Sequence, residues 1–196
     1  MLYNTGRMTF SPLADTEVEA RPERLVTAAR DLANETGSAA FTVNQVTSRA
    51  GLSLKAFYGC FPGKDDLLIA LIAADSEIGA AVLAERIGNR TGPAGVEAYF
   101  VELFEMLALP GALGYAGVLA GEHRRLAEHH AAAEISAIAP MVDLLAGFLT
   151  TADPQRDAET MFAVLLTGIH DVVFGRVTDT RELARYLHRF CTQGAM

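Results

Sequence analysis

The chain has 196 residues, of which 51% are apolar and 20% charged, the composition of a folded protein with a sizeable core; disorder over most of its length is excluded. That length holds one domain, or a small domain joined to a larger one, and excludes a large multidomain enzyme. The net charge of −8 argues at first sight against a polyanionic partner, but the charge is unevenly placed.

Residues 1–20 hold one base and three acids, residues 21–67 six bases and five acids, and the remainder nine bases and sixteen acids. A near-neutral front followed by an acidic body suggests two jobs, and only the front suits phosphate. The first ten residues carry one arginine and no apolar middle, so no secretory signal is read and the cytoplasm is the expected location. The longest uncharged stretch, residues 106–121, is interrupted by Pro110 and falls short of the roughly 20 residues of a membrane span, so no membrane is expected. Cys60 and Cys191 match no metal or redox spacing and read as reduced, small apolar side chains. No cofactor is implied.

In chain order, residues 1–20 mix Asn, Thr, Gly, Ser and Pro without a period and read as a flexible arm. Pro22 at a helix start, Glu23 against the helix dipole and Leu25, Ala28, Ala29, Leu32 and Ala33 at helical spacing predict a first helix that stops at Gly37. Thr42 with Gln45 forms a capping-box pattern for a short second helix carrying Val43, Val46 and Ala50, ended by Gly51. Ser53 caps a third helix, with Phe57 and Phe61 on one side and Lys55, Tyr58 and Gly59 on others; Pro62 and Gly63 close it. Three short helices, the last two joined by a tight glycine turn, outline a helix-turn-helix. A long helix follows from Lys64 to about Ile87, and beyond a Gly/Pro/Asn loop the predicted helices span 93–109, 111–121, 123–151, 154–176 and 179–193, with a kink at Pro140. No run reads as a strand, so the fold class is all-α.

The helix-turn-helix carries the chemistry. Phe57, Phe61, Leu52 and Val46 pin the third helix, which is too short to be stable alone, leaving its other face free for a groove about 12 Å wide. Tyr58 offers a hydroxyl, Thr42 and Ser53 offer hydroxyls and helix-start amides, and Lys64 offers a charge, all suited to phosphate oxygens. Removing Lys64 should lower the salt slope of binding by about one unit.

Residues 21–68 resemble the DNA-binding segment of the tetracycline-repressor (TetR) family. The resemblance lies in Ala50-Gly51 of the turn, Leu52, Ser53, the Phe57-Tyr58 pair, Phe61 three residues on, and Lys64 opening the next helix before Leu67 and Leu68. It covers about a quarter of the chain. It implies DNA contacts from Thr42, Ser53, Leu54, Lys55, Ala56, Tyr58, Gly59 and Lys64. Many members carry a Gly-Thr pair where this chain has Lys55 and Ala56, and a His or Arg in place of Gly59, so base preference does not transfer; Lys55 itself can reach a guanine edge.

The implied organisation is an arm at 1–20, a DNA-binding domain at 21–67 and a helical effector-binding and dimerisation domain at 68–196. One helix-turn-helix reads too few base pairs, so two copies are expected on half-sites about 34–36 Å apart. Phe162, Leu165, Ile169 and Val173 of one helix, with Leu183, Tyr186, Leu187 and Phe190 of the last, are the candidate dimer interface. Phe100, Phe104, Tyr115, Leu119, His123, Met141, Leu145, Phe148 and His170 are the candidates for a small-molecule pocket, which the resemblance implies. The long helix from Lys64 is the expected lever between the two. Together these features read as a ligand-responsive transcriptional regulator, a repressor bound to duplex operator DNA as a homodimer.

Two other readings compete. His123, His130 and Glu134 fall at offsets of seven and four on one helical face, as metal ligands of a helical enzyme would, although no Glu-x-x-His pair, phosphate cradle or nucleophile elbow accompanies them. The acidic balance also permits a helical interaction module with no affinity for DNA.

Overall fold

The computed structural model describes residues 20–193; the expected arm lies, but for Ala20, outside the described residues. Among the described residues eight helices follow one another, with no strand. The first, α1 (Arg21–Thr36), starts at Pro22 with Glu23 in its first turn and buries Leu25, Val26, Ala28, Ala29, Leu32 and Ala33 on one face. In α2 (Val43–Ala50) the Thr42 side chain accepts from the Gln45 amide and the Gln45 side chain accepts from the Thr42 amide, the full capping box. Gly37 and Gly51 end these helices with φ of 63° in both cases, a left-handed conformation that any side chain would strain. The third helix, α3 (Leu54–Cys60), is capped by Ser53, which accepts from the Ala56 amide at 3.1 Å.

The remaining helices are α4 (Lys64–Ile87), α5 (Gly92–Leu107), α6 (Ala112–Ala146), α7 (Pro154–Val173) and α8 (Thr180–Gln193). The sequence reading parts α6 near residue 122 and kinks it at Pro140. In the structure the helix runs through residue 122, and its one non-helical residue is His130, at φ −133° and ψ 34°. Neither Gly121 nor Pro140 stops it, because packing of a long apolar face outweighs local propensity.

Two cores result. Leu25, Ala29, Val46, Phe57, Leu67 and Leu71 form the centre of the head, joined from below by Leu126 and Ala137 of α6. Tyr99, Phe100, Phe104, Leu145, Leu165 and Ala184 centre the body. Among the described residues α4 is the single unbroken helix that by length and composition reaches the apolarity of a membrane span, with a mean hydropathy of 2.0. It is instead the rod common to both cores, with Leu67, Leu68, Leu71 and Ile72 in the head and Leu83 and Ile87 in the body. In the body, a Cβ on Gly168 would meet Leu187 Cδ1 at 2.6 Å and Phe104 Cζ at 3.1 Å, so α7 lies unusually close to α8 and α5 at that point.

Candidate nucleic-acid interface and ligand cavity

In α3 the i, i+4 geometry separates anchor from contact surface. Phe57 is fully buried and Phe61 nearly so, while Leu54, Lys55, Tyr58 and Gly59 face solvent and Ala56 is half-buried. Tyr58 is 59% exposed and rests edge-on against Phe57, ring centroids 5.2 Å apart; its hydroxyl therefore has a fixed base and a free tip. Thr42 and Ser53 are exposed at the starts of α2 and α3. Arg21 shares a shallow depression with Ser53, Lys55 and Gly59. Among the described residues neither Arg21 nor Lys55 is in an ion pair, whereas Arg49 is held by Glu35 through two bonds of 2.7 Å. The sequence reading counts Arg21 as a front-segment base but passes over it as a contact; only the fold puts the start of α1 beside α3.

Lys64 is placed differently from its expected role. Its ammonium donates to the Ala39 carbonyl and lies 4.8 Å from the centre of the Phe41 ring, and burial lowers its pKa from the ordinary lysine value. The charge thus ties the start of α4 to the loop before α2, with its remaining donors left for any external partner.

Between α4, α5, α6 and α7 lies a cavity of about 160 Å³, walled mainly by Ile72, Leu103, Leu107, Leu119, Ile138, Met141, Phe162, Leu166 and Ile169, with Asp75, Ser76 and His123 as its polar groups. Two further chambers adjoin it, one of about 180 Å³ that includes Glu134, Gln155 and Glu159, and one of about 290 Å³ that includes Arg124, Thr167 and His170. His123 borders all three.

Of the expected pocket residues, Leu119, His123 and Met141 line the first chamber and His170 the third. Phe100, Phe104 and Leu145 do not: they are fully buried in the body core, because their helical faces point between helices rather than into the gap. Phe148 is likewise outside the cavity, its ring seated on Gly95, where a Cβ would come within 2.4 Å. Tyr115 stands behind the wall and donates its hydroxyl to Asp75 Oδ2. Asp75 Oδ1 accepts from both Nε and an Nη of Arg30, each at 2.7 Å. Burial, and then the bond to Asp75, raise the Tyr115 pKa well above the ordinary phenol value. One carboxylate thus joins the cavity wall on α4, the first helix of the head and the body helix α6. The sequence reading misses Asp75 and Ser76; their signal is a polar pair in the middle of an otherwise apolar helix.

Most of the expected dimer residues also have intramolecular partners. Leu165 is fully buried, and Phe162, Ile169 and Leu187 are buried in the body core, so they are corrected to core. Val173 packs on Gly117, where a Cβ would lie 2.8 Å from its Cγ1, and Leu183 is half-buried. Tyr186 and Phe190 remain, 55% and 43% exposed and stacked with centroids 6.5 Å apart, with Phe174 exposed at the end of α7. The metal triad does not converge: His130 approaches Asp65 at 3.5 Å while His123 turns to Glu134. Among the described residues no group of three or more His, Cys, Asp or Glu side chains has a metal-binding arrangement.

The family model described as bacterial regulatory proteins, tetR family, matches residues 25–71, the unit built around Phe57. That match gives residues 25–71 the DNA-binding segment of the TetR family. Solved structures similar to this chain include a TetR transcriptional regulator from Rhodococcus sp. RHA1, at 19% identity and a TM-score of 0.73, covering 92% of this chain and 98% of that one. FadR from Bacillus subtilis, solved with stearoyl-CoA, aligns at 19% identity and a TM-score of 0.69 over 89% of this chain and 99% of that one. RolR, solved with resorcinol, aligns at 20% identity and a TM-score of 0.63 over 90% of this chain and 89% of that one. At these identities the likeness is one of fold, and it extends through the body as well as the head. No curated protein matches the sequence.

Proposed function

We propose that this chain is a ligand-responsive transcriptional regulator of the TetR type, a repressor that leaves its DNA operator when a small molecule occupies the cavity. The observation that carries the reading is α3, with Phe57 buried beneath it and Lys55 and Tyr58 projecting from it. Lys55 suits a base edge, and Tyr58, Thr42, Ser53 and Arg21 suit phosphates that fix register. Leu54, Ala56 and Gly59 present apolar and open surface to the groove.

Two heads are needed for useful specificity, and the exposed, stacked Tyr186 and Phe190 of α8 supply an apolar surface for a second copy. A ligand can shift DNA affinity only through a difference in its binding to two body conformations, and the coupling is reciprocal. The Arg30–Asp75–Tyr115 clasp is the route we assign to it, since it belongs to the cavity wall and to the head at once. DNA as the partner places its work in the cytoplasm; no cofactor or metal enters the scheme.

Selection of bound fragments from genomic DNA, followed by fluorescence anisotropy on the winning duplex, tests the reading. Enrichment of a two-fold symmetric site, with affinity at least about a thousandfold above bulk DNA, is expected. No enrichment even at low salt would overturn it. Replacing Tyr186 and Phe190 with Arg should give a monomer in sedimentation analysis and weaken operator binding; a variant that remains dimeric would move the interface elsewhere.

A further inference from the structure

The first and second chambers share His123, Ile138, Phe162 and Leu166, and at this junction Glu134 is buried, with only 4% of its side chain exposed. Its Oε1 abuts His123 Nδ1, yet neither atom has a well-formed hydrogen bond. No Lys or Arg lines either chamber, and the other inner carboxylate, Asp75, is already matched by Arg30. Burial lowers the His123 pKa, which weakens the imidazole as a compensating charge. A buried carboxylate without a cation is strongly unfavourable, and the exposed Glu159 on the rim of the second chamber adds attraction for a cation at its mouth.

We infer that the effector is a compact, mostly apolar molecule with a single protonated amine, whose ammonium docks at the Glu134–His123 pair while its hydrocarbon part fills the first chamber. The amine donates to the Glu134 carboxylate beside the His123 ring. The first chamber's volume of about 160 Å³ is close to that of an apolar cavity known to take up one benzene, so a one-ring amine fits. Carboxylates and phosphate esters find no cation there. The inference rests on the reading of the cavity as an effector site, but binding can be measured without DNA.

The test is calorimetric titration of the full chain with phenethylamine, 2-phenylethanol and 3-phenylpropionate, which differ in charge at nearly constant shape. The amine is expected to bind at least tenfold more tightly than the alcohol, and the carboxylate not at all. Glu134→Gln should remove at least tenfold of the amine affinity and leave the alcohol unaffected; Leu166→Trp, which fills the shared wall, should abolish amine binding. Equal binding of amine and alcohol, binding of the carboxylate, binding of none, or an amine affinity unchanged by Glu134→Gln overturns the proposal. If Glu134→Gln does not fold, the ranking on the native chain and Leu166→Trp decide. An amine that binds as expected but leaves operator occupancy unchanged sinks the regulator reading and keeps the site. Operator release by another compound, with no amine binding, does the reverse.

Discussion

Replacing Asp75 with Asn keeps the shape of the side chain and an acceptor for the Tyr115 hydroxyl while removing the charge opposite Arg30. Two bonds of 2.7 Å are at stake, between side chains that are 26% exposed for Arg30 and 14% for Asp75. Breaking one side of a fully buried pair costs about 3–5 kcal/mol, and an exposed pair contributes about 1 kcal/mol at most. With Arg30 a quarter open to water, screening puts the loss between these limits, at about 2 kcal/mol. A double-mutant cycle of Asp75→Asn, Arg30→Met and the pair, followed by urea unfolding at one protein concentration, isolates the interaction. A coupling of about 1.5–2 kcal/mol is expected, together with weaker operator binding by each single variant, because the head is then less firmly set on the body. Coupling below about 0.5 kcal/mol, the scatter of independent sites, would refute the clasp.

Phe57→Ala should cost about 3–5 kcal/mol, since the ring is fully buried under α3; circular dichroism on heating reads the loss, and retention of the native midpoint would deny Phe57 its anchoring role. Lys55→Met should lower the magnitude of the salt slope of operator binding by about one unit if the charge meets phosphate, or relax base preference at one position if it meets a guanine edge. Lys64→Met, which frees the Ala39 carbonyl, should lower thermal stability more than Lys55→Met does and change the slope less; the opposite ranking would restore Lys64 as mainly a phosphate contact. The Arg125 bond, 2.6 Å to Asp65, holds the Asp65 carboxyl below its ordinary 3.8, with the neighbouring His130 adding to the effect. Its folded pKa being depressed, the pair's contribution is complete above about 3.8 and is lost as pH falls through the lowered value. Arg125→Met should therefore shrink the stability difference between pH 5 and pH 2.5 in urea titrations, and an unchanged difference would exclude the pair from acid sensitivity.

The head was legible because its signals are local. Thr42 with Gln45, Ser53, Gly37 and Gly51 specify where helices start and stop within a few residues of themselves, and Phe57 with Phe61 declare one side of α3 by their spacing. The body was legible only as helices. Apolar residues on a helix such as α7 read alike whether they face a neighbouring helix, a cavity or a second chain, so Leu165 and Phe104 were indistinguishable from true lining or interface residues. Small residues held the missing information: Gly168, Gly117 and Gly95 mark where Leu187, Val173 and Phe148 press in. The His123, His130 and Glu134 pattern presumed an unbroken helix. Eleven residues of straight helix span about 16 Å, too far for His123 and Glu134 to meet, and the backbone break at His130 is what lets them.

Asp75 serves two masters, lining the cavity on one side and gripping the head on the other. Substitutions that reshape the cavity along that stretch of α4 would disturb the seating of the head in the same stroke. Variation in the cavity that spares the grip is therefore steered toward the walls supplied by α5 and α7.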